Sequence, residues 1–376
     1  MDFQYYLPVN LLFGRGKIDL LGSKAREYGT KALIVTGKNS TKKTGLLDKS
    51  ISLLAKEGVT SIVFDEVEPN PLTTTAEHGA ALAREQGCDL IIGLGGGSIM
   101  DAAKGIAFLA ENDGDINDYI FGRLQSDKAL PSILVPTTCG TGSEGNCFAV
   151  LSNPVTNDKK SLRCNAIIAK LSIVDPDLMM TMPRSILASV GFDALCHNME
   201  AYLSRSAQPI TDMFALEGIR LLGENLLSVY ENYDDTEGWE KVALASTFGG
   251  MVINTAGVTA AHGIEHPASG LRNIVHGGGL SAITPVVYER SISQAPEKFA
   301  RISQLLGGQD EHDCVARLRL LIQKLGLPST LSEQGIKAED IPWMAENCMK
   351  VSVPNLGNNP QLFEESDVRE IYEAAL

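Results

Sequence analysis

The order of strand and helix patterns along the chain changes near residue 180, and this change limits the folds open to it. Before that point, short β-branched runs alternate with helical patterns. Strand patterns lie at residues 4–13, 31–37, 61–65, 89–95, 132–136, 148–151 and 166–174, and helical patterns at 42–56, 73–86 and 98–109. This alternation predicts an α/β, Rossmann-like parallel sheet with helices on both faces.

Beyond residue 180, strand patterns nearly vanish and helical periodicity dominates. The predicted helices cover residues 184–203, 208–230, 237–254, 296–306, 311–325, 338–349 and 366–375. Met182-Pro183 suits the start of the first, because proline is favoured at the first helical position. A chain of 376 residues is expected to form about two domains. We therefore predict an α/β domain over residues 1–180 and an all-helical domain over residues 181–376.

The composition limits the kinds of binding partner and the cellular compartment that we expect for this protein. The net charge of −14 and the pI of about 4.9 argue against nucleic acid and against an anionic membrane surface. No apolar run is long enough to span a membrane, and the first residues lack the basic and apolar regions of a signal peptide. Seven scattered cysteines without a C-x-x-C pair indicate reduced thiols, so we expect a cytoplasmic protein.

Four of the six histidines fall between His197 and His276, and Asp193 precedes the first of them by four residues. Asp193 and His197 share a helix face at this spacing, and His262 and His266 form a second pair four residues apart. One carboxylate and three imidazoles are typical of a four-coordinate site for a divalent transition metal. Nitrogen and oxygen ligands suit Fe²⁺ or Zn²⁺, and the lack of thiolate ligands argues against a structural zinc site. The pattern leaves open which three histidines bind.

Two glycine-rich turns follow neighbouring strand patterns. The first, Gly93 to Lys104, reads as strand, turn and helix, and the amides at such a helix start favour an anion. It departs from the G-x-G-x-x-G pattern, because Ser98 stands in place of the third glycine. The second, Pro136 to Glu144, is dense in hydroxyls and glycines. Either turn alone could lack a ligand, but together they predict a dinucleotide at the carboxyl edge of the sheet.

The end of the strand at residues 31–36 indicates which dinucleotide binds. An NAD site usually offers a carboxylate there to the ribose hydroxyls. This chain instead has small, polar and cationic residues: Gly37, Lys38, Asn39, Ser40, Thr41, Lys42 and Lys43. Such groups would accept a 2′-phosphate, so we predict NADP(H) in preference to NAD(H). The alternative is that these lysines form the solvated start of a helix.

Together these motifs resemble the iron-containing (group III) alcohol dehydrogenase family over residues 5–375. The resemblance is carried by Glu68 to Pro71, Gly95 to Lys104, Gly140 to Glu144, Gly191 to His197, His262 to Pro267 and His276-Gly277. The block from Ser269 to Leu280 looks closest to butanol dehydrogenase-like members. The resemblance implies an N-terminal α/β domain that binds the dinucleotide and an all-helical C-terminal domain that binds the metal, in a dehydroquinate synthase-like architecture.

The resemblance also implies roles at the catalytic end of the site. Four residues would hold the metal: Asp193, His197, His262 and His276. His266 would lie near the substrate, where it would either relay a proton or support a metal ligand through a hydrogen bond. Phe148 would face the substrate.

A further set of residues would contact the coenzyme. The set consists of Gly37, Lys38, Asn39, Ser40, Asn70, Gly96, Gly97, Ser98, Asp101, Thr137, Thr138, Thr141, Lys159 and Leu178. In the resemblance, residues 96–98 would meet the pyrophosphate, and Asn70 would lie near the adenosine ribose. Asp101, the threonines and a lysine at Lys159 or Lys160 would lie along the nicotinamide half.

The chain is therefore predicted to be a metal-dependent alcohol dehydrogenase or aldehyde reductase. It would transfer hydride between NADP(H), or NAD(H), and a small primary alcohol or aldehyde such as butanol or butyraldehyde. Gly37 falls where NAD-preferring members of the family tend to carry Asp, and a homodimer is expected from the family. Three alternatives stay open: a zinc-dependent polyol dehydrogenase of the glycerol type, a metal-dependent lyase like dehydroquinate synthase, and a non-enzymatic metal or nucleotide binder.

Overall fold

The computed structural model describes residues 2–376. Its strands are β1 (Leu11–Phe13), β2 (Lys31–Gly37), β3 (Thr60–Val67), β4 (Leu90–Gly95), β5 (Ser132–Pro136), β6 (Phe148–Ser152), β7 (Lys159–Arg163) and β8 (Leu171–Val174). The α-helices before residue 180 are α1 (Leu21–Arg26), α2 (Ser40–Lys43), α3 (Leu46–Lys56), α4 (Thr73–Glu85), α5 (Gly97–Glu111), α6 (Ile116–Ile120) and α7 (Pro176–Met179).

The remaining α-helices follow without an intervening strand. They are α8 (Arg184–Leu203), α9 (Pro209–Glu231), α10 (Thr236–Ala256), α11 (Ala260–Arg272), α12 (His276–Ser291), α13 (Pro296–Leu305), α14 (Asp313–Leu325), α15 (Ile341–Val351), α16 (Val353–Asn358) and α17 (Glu365–Ala375). Short 3₁₀ helices lie at Lys17–Leu20, Ser143–Gly145, Asn165–Ile167, Ile292–Gln294, Ser332–Gln334 and Ala338–Asp340.

Six strands form one sheet in the order β1-β8-β5-β4-β2-β3, with all neighbouring strands parallel. Alternate residues of the central strands enter different cores. Leu33 and Ile91 pack with α4 and α5 on one face, whereas Ile34 and Ile92 pack with α1 and α3 on the other. Burial on both faces explains why these strands read as continuous apolar runs. The predicted parallel sheet with helices on both faces is confirmed.

The mostly helical C-terminal part has one large apolar core that includes the fully buried rings of Trp239, Tyr288 and Tyr372. Met179 of α7 and Cys139 also belong to this core, so the two parts pack together directly. The last strand ends at Val174, and the division of the chain at residue 180 remains a prediction.

Several predicted elements differ from the structure. The strand predicted at residues 4–13 is formed only at Leu11–Phe13, where β1 pairs with β8 at the sheet edge, because residues 4–10 have no neighbouring strand in the chain. The strand predicted at residues 166–174 is formed only at Leu171–Val174. The polar strand β7 was not predicted, although it pairs antiparallel with β6 in a hairpin.

Helices α11 and α12 were absent from the predicted helices. Each contains an internal proline, Pro267 and Pro285 respectively. Proline lacks the amide donor and usually ends a helix, and the glycines at the start of α12 weaken the periodicity further. These two helices nevertheless carry three of the four clustered histidines. Among residues 2–376, no single helix has the length and hydropathy needed to cross a membrane, although α10 and α11, bent by 103°, meet both conditions as a pair.

Candidate metal and coenzyme site

A cleft of about 390 Å³ lies between the carboxyl edge of the sheet and the helical part. It joins residues that the sequence placed in separate motifs. The predicted site residues that line it are Asn70, Gly97, Ser98, Asp101, Thr141, Phe148, Lys159, His197, His262, His266 and His276. The glycine loop and the histidine cluster therefore share one cavity.

The metal-binding candidates converge on Asp193. Its Oδ1 atom lies 3.3 Å from Nε2 of His262, 3.7 Å from Nε2 of His276 and 3.6 Å from Nδ1 of His197. Ligand atoms of Asp193, His262 and His276 lie within 4.8 Å of one another, a spacing that suits ligands of one ion. His197 lies outside this group, but its ring stacks on that of His262 with centroids 4.5 Å apart.

A second group of possible ligands shares one member with the first. It consists of Glu265, His266 and His276, whose ligand atoms also lie within 4.8 Å of one another. The ring centroid of His266 is 5.8 Å from that of His276 and 6.1 Å from that of His262. His266 thus lies beside the proposed ligands, and this geometry is compatible with either of its predicted roles.

Two buried glutamates orient the imidazoles. Nδ1 of His262 lies 2.5 Å from Oε1 of Glu200, and Nδ1 of His276 lies 2.5 Å from Oε2 of Glu265. A carboxylate can only accept, so each Nδ1 carries a proton and donates it. Each Nε2 atom then faces Asp193, which is the arrangement usual for histidines that bind a metal. His197 differs, because its Nδ1 atom lies 3.3 Å from the carbonyl oxygen of Gly140 and is also the nitrogen that lies 3.6 Å from Asp193.

The charges of the cluster fit a divalent cation. Burial opposes ionisation of Asp193, but the neighbouring imidazoles outweigh it and lower the pKa of this carboxyl. Burial also opposes protonation of His262, yet Glu200 and Asp193 raise its pKa to about 10. Burial lowers the pKa of His197 to about 4. Buried acids thus surround nitrogen donors, and a bound cation would compensate their charge.

The two glycine-rich loops touch at the start of α5. A Cβ atom on Gly97 would lie 2.2 Å from Cγ2 of Thr141, and one on Gly96 would lie 3.0 Å from Oγ1 of Thr138. Only glycine allows this close approach at Gly97. The first amides of α5 therefore lie beside the hydroxyls of the second loop, as expected for a pyrophosphate cradle.

Lys104 of α5 anchors the second glycine-rich loop and the residues after it through hydrogen bonds. Its side chain has no exposed surface, and its Nζ atom donates to Oγ of Ser143 at 2.8 Å, to Oδ1 of Asn146 at 3.0 Å and to the carbonyl oxygen of Phe148 at 2.8 Å. Ser143 in turn donates to Oδ1 of Asp101 at 2.5 Å. The loop is thus tied to α5 by a buried network, which fixes the position of Phe148 in the cleft.

A smaller pocket of about 150 Å³ lies on the other side of the loops. Three predicted coenzyme residues line it: Ser40, Thr137 and Leu178. Gly37 is half-buried and Lys38 and Asn39 are exposed, but none of the three lines either pocket. Lys42 forms an ion pair with Asp65 of β3, so it is already engaged.

Asn70 lines the cleft beside Lys159. Its Oδ1 accepts from Nζ of Lys159 at 3.0 Å, and its Nδ2 donates to Oδ1 of Asn273 at 2.7 Å. Asn70 has φ of 52°, a left-handed conformation that asparagine tolerates. It therefore stands at the histidine end of the cleft, and its place near the adenosine ribose stays a prediction.

Sequence reasoning missed Glu200, Glu265 and Lys104 as members of the site. Glu200 follows Asp193 by seven residues on α8, which returns it to the same helix face. Glu265 lies between His262 and His266, within the motif from His262 to Pro267. These spacings could have identified both glutamates, whereas nothing in the sequence indicates the acceptors of Lys104.

Comparisons with known proteins show the family of the chain. The profile of "Iron-containing alcohol dehydrogenase" matches residues 8–176, and that of the "Fe-containing alcohol dehydrogenase family, C-terminal" matches residues 187–376. The 1,3-propanediol dehydrogenase of Klebsiella pneumoniae is 34% identical, with 99% of this chain and 98% of that protein covered. The NADH-dependent butanol dehydrogenase B of Clostridium acetobutylicum is 32% identical, with 95% of each covered.

The solved structures include an archaeal halo-thermophilic alcohol dehydrogenase from a Red Sea brine pool, with a TM-score of 0.96 and 34% identity over 100% of this chain and 99% of that one. The fold and the site define an oxidoreductase with the dehydroquinate synthase-like architecture. More specifically, the chain belongs to the iron-containing alcohol dehydrogenase family.

Proposed function

We propose that this protein is a metal-dependent alcohol dehydrogenase or aldehyde reductase that transfers hydride between NADP(H) and a small primary alcohol or aldehyde, such as butanol or butyraldehyde. The observation that carries the proposal is the shared cleft, in which Gly97 and Thr141 of the coenzyme loops face the same cavity as His262, His266 and His276. Butanol is the substrate class in the name of the Clostridium acetobutylicum relative.

In this proposal Asp193, His197, His262 and His276 hold Fe²⁺ or Zn²⁺. When bound, the cation supplies a positive charge that stabilises negative charge on the substrate oxygen, and the nicotinamide supplies or accepts the hydride. Glu200 and Glu265 keep the Nδ1 protons of His262 and His276 in place. They thereby hold both Nε2 atoms toward Asp193, so the site needs little reorganisation when an ion binds.

His266 is proposed to move the proton. Burial and the charge of Lys159 lower its pKa well below the usual value, so its ring is neutral near neutral pH. A neutral imidazole can accept the hydroxyl proton of an alcohol at a ring nitrogen and return it to an aldehyde in the reverse direction.

The proposed preference for NADP(H) is supported by the surroundings of Gly37. No acidic side chain lies on β2 or α2, and Lys38 is exposed beside Gly37. The Clostridium acetobutylicum relative is named NADH-dependent, so coenzyme preference would separate this protein from it.

The oligomeric state and the cellular location are proposed from the open sheet edge and the unpaired cysteines. We infer a cytoplasmic homodimer in which residues 4–10 add to the open edge of the sheet at β1, since β1 pairs only with β8 within residues 2–376. All seven cysteines are unpaired. We also keep the division of the chain into a dinucleotide-binding part up to residue 180 and a metal-binding part after it.

The proposal is tested by the oxidation of NADPH and NADH with butyraldehyde, followed at 340 nm after anaerobic reconstitution with Fe²⁺ or Zn²⁺. Metal-dependent turnover that prefers NADPH is the expected result. A preference for NADH would contradict only the coenzyme assignment. Turnover of glycerol alone with Zn²⁺ would favour the polyol dehydrogenase, and full metal loading without redox turnover would favour the lyase.

A further inference from the structure

Strand β7 brings three cations to the cleft. Lys159, Lys160 and Arg163 all line it, although the chain as a whole carries a net charge of −14. The cationic lining is therefore a local feature of this cavity, and it runs against the general charge of the surface. Such a concentration of one sign attracts ligands of the opposite sign.

Only one of the three cations has an acidic partner. Nζ of Lys159 lies 3.9 Å from Oε2 of Glu265 and donates to Asn70 at 3.0 Å. The single acid of the cleft lining, Asp101, is also engaged, because its Oδ2 accepts from the amide of Val150 at 3.0 Å and its Oδ1 from Ser143. Within residues 2–376, Lys160 and Arg163 are therefore the two cations of the cleft without an acidic partner.

Lys160 and Arg163 contact only neutral groups. Nζ of Lys160 donates to the carbonyl oxygen of Val351 at 2.8 Å, and Arg163 donates to the carbonyl oxygen of Asn254 at 3.0 Å. The Arg163 guanidinium also lies over the ring of Phe148, 5.0 Å from its centroid. Among residues 2–376, neither cation has a carboxylate oxygen within 4.0 Å. Both side chains are held in place by these neutral groups, and Asp158, whose charge acts on Lys160, is itself paired with Lys350 at 2.8 Å.

Apolar side chains lie in the same cavity. The rings and chains of Phe148, Ile253 and Val258 line it together with the two cations and the histidines. A ligand with an apolar middle and a charged end would fit this distribution, since the apolar part would replace water and the charge would meet the cations.

We propose that the substrate carries a carboxylate at the end opposite the reacting carbon, and that Lys160 and Arg163 bind it. The inference rests on the proposed function and narrows its substrate class to short ω-carboxy aldehydes and the corresponding ω-hydroxy acids. Phe148, which stacks under Arg163, orients the guanidinium toward the ligand.

The test compares aldehydes of equal length that differ only in their terminal group: 4-oxobutanoate with butyraldehyde, and 5-oxopentanoate with pentanal. For the holoenzyme, kcat/KM of each carboxylate is expected to exceed that of its neutral partner by about tenfold or more, the range of one or two charge-assisted hydrogen bonds. The advantage should shrink as ionic strength rises. A neutral aldehyde that is preferred in both pairs would overturn the inference.

Variants locate the carboxylate site. Arg163→Met and Lys160→Met should lower the ratio of kcat/KM between 4-oxobutanoate and butyraldehyde by about tenfold each. Arg26→Met is the matched control, because Arg26 is exposed on α1 and lies outside the cleft. An unchanged ratio in both cleft variants would overturn the assignment of these residues.

Two further measurements distinguish a carboxylate site from a coenzyme site and from failure of the proposed function. The Kd for NADPH, measured by fluorescence, should stay within about twofold in Arg163→Met. A large loss of coenzyme affinity with an unchanged aldehyde ratio would assign the cations to the coenzyme and refute the inference. Reduction of butyraldehyde without any of 4-oxobutanoate would refute only this inference, whereas failure of both aldehydes with full metal content would refute the proposed function itself.

Discussion

Glu200 and His262 form a buried pair between α8 and α11, with Oε1 of Glu200 2.5 Å from Nδ1 of His262. The second oxygen of Glu200 accepts from the amide of Thr259 at 2.7 Å, so the carboxylate also fixes the start of α11. The sequence does not predict this contact, because the two residues are 62 positions apart. The pair determines which nitrogen of His262 faces Asp193, and it therefore prepares the metal site.

Replacing Glu200 with Gln should weaken metal binding. The amide keeps the shape of the side chain but loses the charge that holds Nδ1–H, and the loss of such a partner usually costs about 10- to 100-fold in metal affinity. The affinity is measured by competition with a chelator. Glu373→Gln, an exposed change on α17, is the control and should leave the affinity unaltered. Equal affinity in Glu200→Gln would contradict this role.

Metal binding should release protons. The pKa of His262 is raised to about 10, so its Nε2 carries a proton near neutral pH that a metal must displace. We expect about one proton per ion, and an affinity that rises with pH up to about 10. Calorimetry in buffers of different ionisation enthalpy gives this number. A binding enthalpy that does not depend on the buffer would contradict the prediction.

The raised pKa of His262 also makes the stability of the metal-free protein depend on pH. The folded pKa of His262, about 10, lies above the unfolded value, so protonation stabilises the fold. This contribution is fully present below the unfolded pKa of ~6.5 and is lost as pH rises through the folded one. Bound metal should remove this part of the pH dependence.

His266→Ala should separate chemistry from metal binding. If the imidazole relays a proton, turnover should fall by about 10²- to 10⁴-fold while metal content stays near that of the parent. Single-turnover kinetics and elemental analysis measure the two quantities. Loss of the metal in this variant would instead make His266 a ligand, as the group of Glu265, His266 and His276 allows.

Gly37→Asp should change the coenzyme preference. A Cβ atom at Gly37 would lie 3.5 Å from Ile99 and 3.6 Å from the carbonyl oxygen of Val67, which are ordinary contacts, so the backbone there accepts a Cβ. The new carboxylate would repel a 2′-phosphate, and the KM for NADPH should rise about tenfold or more relative to that for NADH. Gly37→Ala adds the Cβ without the charge and serves as the control. Parallel changes for both coenzymes would rule out the charge effect.

Lys104→Met should destabilise the protein. The change removes a donor from several buried acceptors and the positive charge near Asp101, so we expect a loss of about 3 kcal/mol or more in the free energy of unfolding. Urea denaturation measures it. Lys43→Met, at an exposed position, should change stability by less than about 0.5 kcal/mol. A similar small effect at Lys104 would show that the network is not needed for stability.

Local patterns in the sequence were sufficient for most of the fold. The strands at Lys31–Gly37, Leu90–Gly95 and Ser132–Pro136 follow from β-branched runs, because burial on both faces requires such residues. Most of the long helices after residue 180 follow from their apolar period, with α11 and α12 as the exceptions. The spacing of Asp193 and His197 predicts that both lie on one helix face, and α8 carries them there.

Tertiary structure alone decided the rest. Proline and glycine hide the periodicity of α11 and α12. Tertiary packing supports both helices: α11 packs against α12 and α15, and α12 packs against α8. The pairing of His262 with Glu200 and the four acceptors around Lys104 join residues far apart in the chain. The sequence determined which elements form and which chemical groups they carry, since both depend on local composition and period. Which groups meet in the cleft depends on how the sheet edge and the helical core pack, a long-range arrangement that local patterns do not encode.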